Sequence, residues 1–127
     1  MCQCANVPMK KENAILTHSF QFAIAIIEYC ELLEESKKYV IARQLLKSGT
    51  SIGANVHEAQ SAESNIDFIH KLKIAAKEAE ETKYWLLLCQ EAKTYPNPDI
   101  LLKKVNEILR ILSSIITTTK EKINQHK

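Results

Sequence analysis

Apolar residues recur along this chain in alternating steps of three and four, over four separate stretches. Between about Lys11 and Glu35 the seam is Ile15, Ser19, Phe22, Ile26, Tyr29 and Leu33, with a parallel stripe through Leu16, Phe20, Ala23, Ile27 and Cys30. From about Lys37 to Ala59 it is Ala42, Leu45, Gly49, Ile52, Val56 and Ala59. From about Asn65 to Lys93 it is Phe68, Leu72, Ala75, Ala79, Thr82, Leu86 and Cys89, and from about Pro98 to Ile123 it is Leu101, Val105, Ile108, Leu112, Ile115 and Thr119. Such spacing keeps one face of an α-helix inward, and its rhythm predicts helices lying nearly side by side.

Polar punctuation separates the four stretches. Ser64 with Asp67 three residues on is a capping box for the third helix. In "YPNPD", Asn97 is the expected N-cap and Pro98 the first helical residue of the fourth. "EESKK" ends the first helix, with Ser36 expected to cap the second. Short connections make neighbours antiparallel, so the pattern predicts an all-α, up-down-up-down four-helix bundle over residues 11–127, preceded by a flexible tail over 1–10. Two Gly and three Pro in 127 residues are too few for an all-β fold. No apolar run reaches the roughly 18 residues of a membrane span, and "MCQCANVPMKK" lacks the apolar core of a signal peptide. The expected setting is cytoplasmic, with no membrane partner.

The stretch "LLKSGTSIGANVHEAQ" carries both glycines, Gly49 and Gly53, inside a predicted helix. Gly costs a helix about 1 kcal/mol relative to Ala. Close approach of a neighbouring helix is the expected compensation, and the third helix, through Ala75, Ala76 and Ala79, is the expected neighbour. Ser48, Ser51 and Asn55 form a second stripe able to bond across helices or to backbone carbonyls. A ligand niche left by the missing side chains is the alternative. The third helix also places Ile74, Tyr84, Trp85, Leu87 and Leu88 off its seam, more apolar surface than a lone bundle needs, which points to self-association.

"RQLLKSGTSIGANVHEAQSAES" followed by "DFIHKLKIAAKEAEETKYWLLL" resembles the four-helix bundle family related to the 23S ribosomal RNA intervening-sequence proteins, with the accessory proteins of diversity-generating retroelements as relatives. The likeness covers about Val40 to Leu88 closely. Ser61 departs from it where many members carry glycine, and the cysteine-containing tail lies outside it. The resemblance implies a bacterial protein of unknown function that assembles into a homo-oligomer, often a ring-like pentamer, without established enzymatic activity. It also implies RNA or a ribonucleoprotein as the partner, and it makes Ile74, Tyr84, Trp85 and Leu88 the expected oligomer interface.

Net charge is only +2, so composition neither requires nor forbids a nucleic-acid partner. Lys37, Lys38, Arg43 and Lys47, over about three turns at the start of the second helix, are the expected RNA-binding residues, since phosphate binding needs clustered cations. Interleaved glutamates, including Glu31, Glu34, Glu78, Glu80 and Glu81, favour the opposing reading of a solvated mixed-charge face. A protein-binding adaptor without any nucleic-acid role is the other functional class. No metal or cofactor is expected: the chain has one Asp67-x-x-His70 where a di-iron bundle needs two Glu-x-x-His motifs. His18, His57 and His70 belong to one end of the bundle but lie off the seams. No nucleophile stands at recognisable spacing from a base, and no Gly-rich phosphate loop is present, so no catalytic residue is expected. Glu58 is the best lone carboxylate, with an ion pair to a lysine on a neighbouring helix as its simpler role. Cys30 and Cys89 read as small buried hydrophobes.

Overall fold

The computed structural model describes residues 11–125. The segment 1–10, with Cys2 and Cys4, lies outside the described residues. Four helices follow in order: α1 (Lys11–Glu35), α2 (Tyr39–Ala59), α3 (Asn65–Glu91) and α4 (Asp99–Gln125). Each packs on its two sequence or ring neighbours: α1 on α2, α2 on α3, α3 on α4, and α4 back on α1. The diagonal pairs come nowhere within 8 Å between Cα atoms. The result is the square, all-α bundle that the periodicity predicts. Every seam residue of α1, α2 and α4 named above is buried, and so are those of α3 except Phe68, which is half-buried beside the buried Ile69.

The ends of the helices are set by local chemistry. Ser64 Oγ accepts the Asp67 N–H at 3.1 Å, and Asp67 Oδ2 accepts the Glu63 N–H at 3.3 Å, so the capping box opens α3. Asn97 Oδ1 accepts the Asp99 N–H at 2.8 Å, and α4 begins at Asp99, one residue after Pro98. Ser36 does not cap α2. Its N–H still bonds back to Leu32 and Leu33, and the residue before α2 is Lys38, which makes no side-chain cap. Instead, the Lys38 N–H reaches the Leu33 carbonyl at 2.8 Å and the Lys37 N–H reaches Glu34 at 2.9 Å. These two bonds form a Schellman closure of α1. It requires the left-handed backbone at Lys37, whose φ is 64°.

Gly49 and Gly53 do mark a close approach, but to α1 rather than α3. A Cβ at Gly49 would lie 2.9 Å from both Cγ1 and Cγ2 of Ile26, and one at Gly53 would lie 3.3 Å from the backbone oxygen of Ser19. Ala75 and Ala79 of α3 are wholly buried and Ala76 half-buried. The polar stripe divides. The Ser48 and Thr82 hydroxyls meet 2.9 Å apart in the buried α2–α3 contact. Thr50, Ser51 and Asn55 bond back to carbonyls of their own helix.

Two substitutions test this geometry. Gly49→Ala gains helix propensity of about 1 kcal/mol. It also drives a methyl into the fully buried Ile26, and overpacking of this kind costs about 1–3 kcal/mol. Urea denaturation is expected to show a net loss that Ile26→Val partly restores; a more stable Gly49→Ala would contradict the contact. Lys37→Gly relieves the left-handed backbone and is expected to gain about 1 kcal/mol in the same assay.

Candidate functional site

The four basic residues singled out at the start of α2 occupy two settings. Lys37 and Lys38 sit on the connection from α1. Lys37 is exposed, while Lys38 is half-buried with its Nζ 5.0 Å from the centre of the Tyr95 ring. Arg43 and Lys47 are exposed one turn apart on α2. No ion pair neutralises any of the four among the described residues, whose two pairs are His18–Glu107 and Lys71–Glu58. Tyr39, 52% exposed, follows Lys38 directly and lines a cleft of about 230 Å³ with Lys37, Lys38, Val40 and Tyr95. The sequence reading passed over Tyr39; the signal was an aromatic residue abutting two lysines.

The expected oligomer residues on α3 are also divided. Tyr84 and Leu88 are exposed, beside an exposed Leu87. Ile74 and Trp85 are half-buried, and Trp85 packs against the bundle's own core. Its indole Nε1 donates to Glu81 Oε2 at 3.2 Å and its ring meets Tyr84 edge-on, 5.5 Å between centroids. Trp85 therefore positions Tyr84 as much as it offers surface itself.

A second apolar surface lies on the outer side of α1 and α2. The close approach at Gly53 leaves a groove of about 720 Å³ there, lined by Leu16, Phe20, Ala23, Thr50, Gly53 and Ala54 among others. Phe20 stands 66% exposed at its edge, with Ile24, Ile27 and Leu46 also exposed. The signal was charge, not periodicity: from Asn13 to Ile27 the chain has no Asp, Glu, Lys or Arg, on any face of the helix.

The histidines do not gather. His18 Nδ1 faces Glu107 on α4 at 3.7 Å, His57 borders the α1–α2 groove, and His70 is exposed. Among the described residues no three His, Cys, Asp or Glu side chains are grouped to hold a metal ion. Glu58 pairs with Lys71 across α2 and α3 at 3.3 Å, the structural role expected of it.

At the opposite end a buried cluster ties the connections together. Tyr29 donates to the Pro96 carbonyl at 2.6 Å, and the Cys30 thiol to the Ala42 carbonyl at 3.4 Å. Burial pushes the Cys30 thiol from 9.0 up to about 12, and raises Cys89 and Tyr29 as well, Cys89 adding to the shift of Tyr29. These thiols stay protonated and unreactive. Because no Cα of α1 lies within 8 Å of one in α3, Cys30 and Cys89 are also too far apart to form a disulfide.

Comparison with known proteins follows this geometry closely. The family model of the 23S rRNA-intervening sequence proteins matches residues 11–114. The chain belongs to that family. A crystal structure of an S23 ribosomal protein family member from Bacteroides thetaiotaomicron, a protein of unknown function, is 42% identical, with a TM-score of 0.80 over 85% of this chain and 99% of that one. No curated protein matches the chain. No helix among the described residues of this intervening-sequence family member is long and apolar enough to cross a membrane.

The buried cluster predicts an alkaline weakness. In the unfolded chain Cys30 ionises near its ordinary value, whereas in the fold it holds its proton to about 12. Its contribution is complete below the unfolded value and is lost as pH rises toward the folded one. Urea midpoints are expected to fall between about pH 9 and 12, and to fall less in Cys30→Ala. Tyr29→Phe strands the Pro96 carbonyl and is expected to cost about 1–2 kcal/mol at neutral pH.

Proposed function

We propose that this protein is a non-enzymatic, self-assembling module that engages RNA, or a ribonucleoprotein, through the basic side of α2. One observation carries the reading: from Lys37 to His57 the chain contains no Asp or Glu, so Lys37, Lys38, Arg43 and Lys47 form an unbroken basic run, bordered by Glu34 and Glu35 at the end of α1. Their charges are free of internal ion pairs among the described residues. A phosphate backbone gains from such charges by releasing its counterions. Tyr39 beside Lys38 offers a face on which an unpaired base can stack. The family's name, which ties it to 23S ribosomal RNA, points the same way. Such a partner would be met in the cytoplasm.

Assembly strengthens the field. A closed ring, a pentamer in this reading, repeats the basic run around its axis and turns a modest patch into a strong one. Tyr84 and Leu88 on α3, with Trp85 and Ile74 behind them, are its proposed anchors.

A protein-binding adaptor is the second reading, favoured by the uncharged outer surface of α1. Salt separates the two, because RNA binding weakens steeply with added salt and an apolar interface does not. Replacing Lys37, Lys38, Arg43 and Lys47 together by Gln is expected to weaken binding of single-stranded RNA and to flatten its log–log salt slope by about 3. These polar side chains lie outside the core, so the melting temperature should hold. Unchanged affinity and slope would contradict the RNA reading and favour the adaptor.

A further inference from the structure

A surface helix of a bundle ordinarily shows charge on its outward side. Helix α1 does not: Thr17, Phe20, Gln21, Ile24 and Ile27 are all exposed, within a run that has no Asp, Glu, Lys or Arg. Its groove against α2 is floored by Gly53 and Ala54 and edged by Phe20. Glu58 is the one Asp, Glu, Lys or Arg that lines the groove, and its carboxylate pairs with Lys71 of α3 at 3.3 Å. Because α1 and α2 run antiparallel, the end of the groove at Leu16 and His57 is the end at which α1 begins.

We propose that the groove is covered by the chain's own residues 1–9, folded back from the start of α1 so that Cys4 lies against Gly53 and Ala54. Three observations choose this occupant. The first is position: the lining of α1 runs from Leu16 to Ala23, about 7 to 18 Å along the helix from Lys11. The second is length. Pro8 disfavours helical backbone at Val7, so residues 8–10 can make the reversal. Residues 1–7 then span about 23 Å when extended, enough to run the whole groove. On that path Cys4 comes about 10 Å back, close to the level of Ser19, where α2 makes its approach at Gly53. The third is chemistry: from Met1 to Met9 there is no Asp, Glu, Lys or Arg, and only Gln3 and Asn6 are polar. An uncharged apolar segment is thus tethered at the mouth of an uncharged apolar groove, and a short tether sets its local concentration at roughly millimolar. The family match begins at Lys11, so this cover is a feature of the chain outside the shared bundle. On α2 the groove ends at Thr50, and the cover leaves Lys37, Lys38, Arg43 and Lys47 open to RNA.

Disulfide trapping in the full chain tests it. Cys30 and Cys89 are buried, and Cys2→Ser leaves Cys4 as the one other native thiol. Ala54→Cys and Gln21→Cys each place a thiol in the groove at an exposed position, and Arg110→Cys places one at an exposed position of α4. Arg110 lies one turn beyond Glu107, the partner of His18, so it is as near to the start of α1 as the groove is. Circular dichroism checks that each variant keeps its helices. With diamide as oxidant, the bond to Cys4 within one chain is expected to form about tenfold faster from Ala54→Cys and from Gln21→Cys than from Arg110→Cys. Adding Ala5→Asp and Val7→Asp, both outside the bundle, is expected to abolish that advantage, because a carboxylate does not enter an apolar groove unpaired. Equal rates from the groove and from Arg110→Cys overturn the proposal. A disulfide that joins two chains instead of closing within one overturns it in favour of a second copy as the occupant. An advantage that survives the two aspartates overturns it as well, since the segment then is not held by apolar contact.

Discussion

The approach of α1 to α2 at Gly49 and Gly53 is the constraint on which the rest of the structure depends. At Gly49 the absent side chain is replaced by Ile26, which is wholly buried there. At Gly53 the neighbour is the α1 backbone itself, at Ser19. The two glycines weaken α2 as an isolated helix by about 2 kcal/mol. Burial of one large aliphatic side chain contributes about as much, so packing at Ile26 alone offsets most of that loss. Two helices this close leave a shallow apolar groove where side chains would otherwise bristle, and the outer surface of the pair is a consequence of its inner contact.

The second feature is how the helices divide charge. A net charge of +2 conceals a partition: α1 has no Asp, Glu, Lys or Arg from Asn13 to Ile27, α2 is purely basic up to His57, and α3 mixes both signs around Tyr84, with Glu80, Glu81 and Lys83. Each helix satisfies the core through its seam, so these differences are free of any folding requirement. They are therefore the part of the sequence that speaks to partners. A one-signed run on α2 suits phosphates, and an uncharged face on α1 suits an apolar contact.

The bundle was legible because periodicity reports the face a helix buries. It does not report the neighbour that face meets. Gly49 and Gly53 were recognised as a contact, yet the small residues that seemed to match them, Ala75 and Ala79, are wholly buried seam positions of α3. The true counterparts, Ile26 and Ser19, look like ordinary seam positions, and nothing in a single helix marks which of two flanking helices lies nearer. Ser36 misled for a related reason: hydroxyl residues favour caps, but the chain closes α1 through the left-handed Lys37, a residue with no intrinsic preference for that backbone. Trp85 illustrates the same limit at the candidate site. Its spacing places it off the seam, but its size lets it reach the core from there. The parallel stripe of α1 is not one surface: Cys30 is buried at one end of it, while Phe20 and Ile27 are exposed.

The most direct measurement is the melting temperature of Gly53→Leu. A Cβ there lies 3.3 Å from the Ser19 backbone oxygen, so a leucine presses on α1 where the two helices come closest. The account predicts a lower melting temperature. A Gly53→Leu protein that melts like the wild type would contradict it.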